Sequence, residues 1–206
     1  MITARVIVAS NRAAAGVYAD TSGPVLVAGL RELGCEVGEA IVVPDGEPVA
    51  AALREAIAAR VDVVLTSGGT GLTPTDATPE ATRALLDYEV PGIAEAIRAR
   101  SRATVPTAAL SRGLAGVAER TLVVNLPGST GGARDGLAVL APILVHAVDQ
   151  LRGGDHPAVD RLRDSDHPAV DRLRGGDHPA VDRLRGGDHV PKTGDGERRP
   201  SADGRG

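Results

Sequence analysis

Apolar residues run through this chain in two textures. Short β-branched runs stand at Arg5 to Ser10, Glu39 to Val43, Val61 to Thr66, Pro106 to Leu110 and Thr121 to Asn125. Such runs, without strict alternation, predict strands covered on both faces. Between them the spacing is helical. Ser22-Gly23-Pro24 opens a segment with Leu26, Leu30 and Leu33 on one face and Gly34 as its stop, and Pro48 to Arg60 carries Val49, Leu53 and Ile57 four residues apart. Thr78-Pro79-Glu80 reads as a helix start, with Thr78 as N-cap, Pro79 at the first helical position and an acid in the first turn; that helix is expected to reach Leu86. PGIAEAIRARS, from Pro91, predicts a solvated amphipathic helix. Arg134 to Leu151 predicts a strongly apolar one, kinked or split at Pro142, which removes the bond to Ala138. Strands alternating with helices in this order predict an α/β fold with a mostly parallel sheet and helices on both faces.

The periodicity then changes. Residues 147–189 are tiled by AVDQLRGGDHP, AVDRLRDSDHP, AVDRLRGGDHP and AVDRLRGGDH, a period of eleven whose first unit coincides with the end of the last helix. Pro157, Pro168 and Pro179 break any continuous helix, and each repeat offers only one Ala, one Val and one Leu for burial. The division expected is therefore an α/β domain over 1–153 and a disordered tail over 154–206. His156, His167, His178 and His189 recur at the repeat period, but no pair has a metal-site spacing.

Composition narrows the class. A content of 42% hydrophobic residues suffices for a core, but with no Phe, no Trp and two Tyr it must be filled by Val, Leu, Ile and Ala. From Arg152 onward basic and acidic residues are equal in number, so the domain carries the net charge of −4. That charge, with no basic clusters interleaved with aromatics, argues against nucleic acid as a partner. The single cysteine, Cys35, reads as a small buried hydrophobe. No run approaches the ~20 apolar residues of a membrane span and no signal peptide is evident, so a cytoplasmic protein without membrane contact is expected.

Candidate chemistry lies where the runs end. In open α/β sheets ligands bind at the carboxyl edge of the strands. Ser10-Asn11-Arg12 follows the first run, Pro44-Asp45-Gly46 the second, Thr66-Ser67-Gly68-Gly69-Thr70-Gly71 the third, and Leu126 to Gly132 (LPGSTGG) the last, where it feeds a helix. The TSGGTG stretch has three residues free to take positive φ and several hydroxyls, the composition of a loop whose amides can turn around an anion. It is neither a Walker A loop, since no Gly-Lys-Ser/Thr follows, nor a dinucleotide fingerprint. Asp76 stands between this loop and the helix start at Thr78.

Six stretches in this order, ASNRAAAGVYAD, VVPDGEPV, LTSGGTGLTPTDATPEAT, PGIAEAI, LSRGLAG and VVNLPGST, make residues 5–151 resemble the MogA/MoaB-like molybdopterin-binding family of molybdenum cofactor biosynthesis. The resemblance implies a three-layer α/β sandwich that assembles as a homotrimer. It implies a nucleotidyltransferase, molybdopterin adenylyltransferase, joining AMP from Mg-ATP to the terminal phosphate of molybdopterin with release of pyrophosphate. The alternative within the family is a non-catalytic carrier of the pterin; either form would hand its product to a molybdenum-insertion protein. Carried over, Thr66, Ser67, Gly68, Gly69, Thr70 and Gly71 would hold the pterin phosphate, and Asp45 and Asp76 would be the catalytic acidic pair beside Mg²⁺. Ser111 with Asn125, Pro127, Gly128 and Ser129 would line the pterin and nucleotide pocket. The family's first strand often ends in Ser-Asp-Arg; here Asn11 keeps a hydrogen-bonding side chain without the charge. Phosphoryl chemistry of this kind asks for positioning and charge neutralisation rather than a covalent nucleophile, and Ser111 is read as a hydrogen-bonding residue.

Overall fold

In the computed structural model residues 1–154 are described; the repeat tail expected to be disordered lies outside the described residues, apart from the start of its first unit. A seven-stranded sheet runs through the middle in the order β2-β1-β4-β7-β6-β5, with β3 also beside β1. β1 (Ile2–Ala9), β2 (Cys35–Val37), β3 (Ile41–Val43), β4 (Val63–Ser67) and β7 (Thr121–Leu126) are mutually parallel. β6 (Ala115–Ala118) and β5 (Tyr88–Glu89) are antiparallel to their neighbours.

The apolar runs work as two-faced strands. Val6 and Val8 of β1, Val63 and Leu65 of β4, and Leu122, Val124 and Leu126 of β7 enter one core with Leu26 and Leu30, Ile93 and Ile97, and Leu137 and Leu144. Those partners come from α2 (Ser22–Glu32), which follows the one-turn α1 (Asn11–Ala14), and from α5 (Pro91–Arg102), α6 (Thr130–Leu140) and α7 (Leu144–Leu151). The alternate residues Ile7, Val64 and Val123 meet Val49 and Leu53 of α3 (Glu47–Ala58), and the short α4 (Thr78–Arg83) lies beyond it in the chain. Burying a Val or Leu contributes ~1.5–3 kcal/mol, so a core without Phe or Trp gains its strength from number rather than from anchors.

Four expectations change. Ala77, not Thr78, caps α4, without a side-chain bond, and the helix ends at Arg83 rather than reaching Leu86. Pro106–Leu110 is a 3-10 helix, not a strand: Pro106 opens it, and the next strand is β6, within GLAGVAE, whose small residues carry little strand signal. The run from Glu39 supplies only Ile41–Val43; Gly38 precedes the gap, and Cys35–Val37 pairs separately with the first half of β1. The helix from Pro91 is not simply solvated. Ile93, Ala94, Ile97 and Ser101 are buried, and Arg100 and Ser101 both bond Asp135 of α6.

The expected break at Pro142 is present, and α6 and α7 meet at 63°. Cys35 is buried, as expected. Among the described residues no single helix is long and apolar enough to cross a membrane.

Candidate active site

Parallel pairing brings the carboxyl ends of β1, β3, β4 and β7 to one edge of the sheet, where they border a cleft of about 410 Å³. Its floor is the glycine-rich loop. Gly68 has φ +97° and Gly69 +62°, and a Cβ on Gly68 would lie 2.3 Å from the Ala9 carbonyl oxygen, so β4 turns against the end of β1 at a distance only glycine permits. The Gly68 amide donates to Leu126 O at 3.1 Å. Of the loop carbonyls, Gly69 O accepts from the Thr78 amide and Thr70 O from that of Arg112. The amides of Gly69, Thr70 and Gly71 donate to no group among the described residues, and all three residues line the cleft. Amides left unpaired in a glycine loop at a sheet edge suit an anion.

Asp45 and Asp76 stand on this loop from two sides. Asp45 Oδ2 accepts the Asn11 amide at 3.2 Å while Asn11 Oδ1 accepts the Asp45 amide at 3.1 Å, a reciprocal lock between the ends of β1 and β3. Its other oxygen, Oδ1, is buried without a hydrogen-bond partner, as is Thr78 Oγ1, and both lie within 3 Å of where a Gly69 Cβ would sit. Asp76 Oδ2 accepts the Thr73 amide at 3.0 Å and packs against Gly71. An aspartate at position 11 could accept the same bond but would set a second negative charge beside Asp45.

The remaining expected residues divide. Ser67 and Gly128 line the cleft; Thr66, Ser111, Asn125, Pro127 and Ser129 do not. Asn125 is buried in β7, donating to Thr66 Oγ1 at 3.0 Å and Thr82 Oγ1 at 2.9 Å and accepting the Leu114 amide. Ser129 caps α6 through the Gly132 amide, Pro127 O accepts from Ser67 Oγ, and Ser111 Oγ accepts the Gly113 amide at 3.3 Å.

The opposite wall was not assigned from sequence. Asp20 accepts the Ser22 amide and hydroxyl and the Gly23 amide, each at 2.9 Å, and Ser67 Oγ donates to Ser22 Oγ, so the start of α2 is tied to the loop. At the rim Tyr18 and Ser10 hydroxyls are 2.9 Å apart and the Arg12 guanidinium lies 5.0 Å from the Tyr18 ring centre. The signal available was Asp20 two residues before Ser22-Gly23, an N-terminal capping pattern beyond the first strand.

Fold and site together define an α/β protein whose sheet edge carries a glycine-rich loop with unpaired amides beside two carboxylates. The sequence profile of a family described as a probable molybdopterin binding domain matches residues 5–146. A Mog protein of molybdopterin biosynthesis from Mycobacterium ulcerans, of solved structure, is 54% identical, with 73% of this chain and 99% of that one covered and a TM-score of 0.70. A molybdopterin adenylyltransferase from Helicobacter pylori is 36% identical over 152 residues, 72% of this chain and 86% of its own. A molybdenum cofactor biosynthesis bifunctional protein from Chlorobaculum tepidum is 39% identical over 153 residues, 73% of this chain, which spans about half (49%) of that relative's length. The chain belongs to the MogA/MoaB-like molybdopterin-binding family of molybdenum cofactor biosynthesis.

Proposed function

We propose that this chain is a molybdopterin adenylyltransferase. The observation that carries the reading is the row of unpaired amides at Gly69, Thr70 and Gly71 in a cleft flanked by Asp45 and Asp76. An oxygen of the pterin's terminal phosphate attacks the α-phosphorus of ATP; one P–O bond forms, the bond to the β-phosphate bridging oxygen breaks, and pyrophosphate leaves. The loop amides hold the terminal phosphate and orient its attacking oxygen without a proton donor or acceptor. Two anions must approach each other, so neutralisation is the main requirement, and preorganised donors meet it without reorganisation.

Magnesium enters as part of the nucleotide substrate. No group of three or more His, Cys, Asp or Glu side chains that could hold a metal occurs among the described residues. Mg²⁺ is commonly bound by one or two carboxylates plus substrate phosphates, which fits Asp45, with its unpartnered Oδ1, and Asp76. The ion would draw charge from the reacting phosphates. Thr66, bonded by Asn125, supports the loop where it leaves β4, and Pro127 does so through its carbonyl to Ser67; Ser111 and Ser129 lie outside the cleft lining. The reading carries with it a homotrimer, a cytoplasmic location with access to ATP, and delivery of the adenylylated pterin to a molybdenum-insertion protein.

Incubation with molybdopterin, ATP and Mg²⁺ is expected to give adenylylated pterin and pyrophosphate, with all three required. Tight pterin binding without product, under conditions in which an active relative turns over, would assign the chain to the carrier class instead.

A further inference from the structure

Arg112 lines none of the cleft, yet its guanidinium hydrogen-bonds two carbonyls of the loop that carries Asp76. Its amide donates to Thr70 O at 2.8 Å and its Nε to Gly71 O at 2.7 Å. One terminal nitrogen donates to the Asp76 carbonyl, and the other pairs with the Glu80 carboxylate in the first turn of α4. These partners bracket the segment that carries Asp76, from its entry at Thr70 to its exit into the helix.

The arginine is itself fixed from behind. The Leu114 amide donates to Asn125 Oδ1, the Asn125 amide donates to Leu114 O, and Arg98 donates to Gly113 O at 2.7 Å. A continuous path of bonds therefore runs from the central strand β7 through residues 113–114 to Arg112 and on to the Asp76 loop. The planar guanidinium is suited to this, because its donors diverge in one plane toward acceptors at different points of the loop. A lysine keeps the charge but has only a single nitrogen to serve them.

We propose that Arg112 is a positioning residue for the Asp76 carboxylate, holding the 70–78 loop in the geometry that metal-nucleotide engagement needs; this rests on the role given to Asp76 above. The loop is an excursion over Leu72, Thr73, Pro74 and Thr75, all exposed, and its other described ties between Gly71 and Asp76 are local ones, the Thr73–Asp76 turn and the Thr73–Thr75 hydroxyl pair at 3.3 Å. Without Arg112 the turn keeps its local bonds but loses its fixed relation to the sheet.

Arg112→Lys and Arg112→Ala, each beside wild type, test the idea by turnover against Mg²⁺ concentration and by amide hydrogen exchange over residues 70–78. The expected result for both variants is a kcat lower by about 10- to 100-fold, as misplacement of a reacting group commonly gives. It comes with a raised half-saturating Mg²⁺ concentration, a KM for the pterin changed little, and faster exchange in 70–78 with β4 unchanged. Ethylguanidinium is expected to restore part of the Arg112→Ala rate, which a general loss of stability would not allow. Wild-type kcat and Mg²⁺ dependence in Arg112→Lys, or a lower Tm with both unchanged, would overturn the proposal. Should wild type itself make no adenylylated pterin, the reaction assigned above fails, and exchange decides the positioning role by itself: unchanged protection of 70–78 in Arg112→Lys refutes it.

Discussion

Replacing Gly68 by alanine tests how closely the loop must approach the end of β1. The added Cβ would lie 2.3 Å from the Ala9 carbonyl oxygen, a backbone atom at the end of β1 that no rotamer change can move aside. The residue would also have to hold φ +97°. Left-handed backbone costs an L-residue roughly 1–2 kcal/mol, and forcing an extra methyl into a packed site roughly 1–3 kcal/mol. The two together give roughly 2–5 kcal/mol, or a Tm lower by roughly 4–20 °C for a domain of this size.

Gly34→Ala separates the contributions. Gly34 has φ +82° with nothing within 4 Å of its Cβ position, so only the backbone cost of roughly 1–2 kcal/mol applies. Thermal unfolding of both variants, with pyrophosphate release measured alongside, reads the difference. Gly68→Ala is expected to lose stability beyond Gly34→Ala and to lose turnover by up to ~100-fold, because relief of the clash displaces the amides of Gly69 to Gly71. Equal Tm values for the two variants with wild-type turnover would refute the close-approach argument.

Asp45→Asn and Asp76→Asn are each expected to lower kcat by ~100-fold or more while pterin binding by calorimetry changes little, since the charge acts where phosphate charge redistributes; wild-type turnover in either removes that residue from the site. Asp62 bonds both nitrogens of one edge of Arg152 at 2.8–2.9 Å and also accepts the amide and hydroxyl of Thr3. Burial by itself would raise its pKa, but the Arg152 and Thr3 hydrogen bonds and the Arg152 charge outweigh that and hold it below the usual carboxylate value. The stabilisation is thus present above the unfolded pKa of about 3.9 and lost as pH falls through the lower folded value. Asp62→Asn is expected to lower stability near neutral pH by about 1–2 kcal/mol, with the Tm gap to wild type closing below pH ~4; a gap independent of pH would count against the ion pair. Truncation after Gly154, which keeps Arg152 and every contact described above, is expected to leave Tm, assembly mass and turnover unchanged, and a clear loss in any of them would make the repeats part of the working structure.

Local rules were enough for much of this protein. The apolar runs Val6 to Ala9 and Val63 to Leu65 are uninterrupted by polar residues because both faces are covered, and that texture is written in the chain before any partner is known. Pro142 splits the last helix wherever it packs, since the missing amide is a property of the residue. Gly68, Gly69 and Gly71 announced a loop poor in Cβ atoms, and the positive φ that Gly68 and Gly69 take is a single-residue preference.

What the chain could not announce by itself is pairing. β6 and β5 are short, and nothing in AGVA or YE marks a strand until the hairpin from β7 supplies the hydrogen bonds. The family resemblance implies a pocket role for Asn125, yet its side chain is spent on Thr66, Thr82 and Leu114, contacts 11 to 59 residues away. Asp20, Asn11 and Arg112 gained their relation to the glycine loop in the same way. Parallel strands set residues distant in sequence side by side at one edge, and hydrogen bonds between such residues leave no spacing for a sequence to display. The sequence determined the central strands, the longer helices and the glycine-rich loop, since those follow from neighbours along the chain; only the tertiary structure decided the edge strands β5 and β6, which side chains face the cleft and which hold it in place.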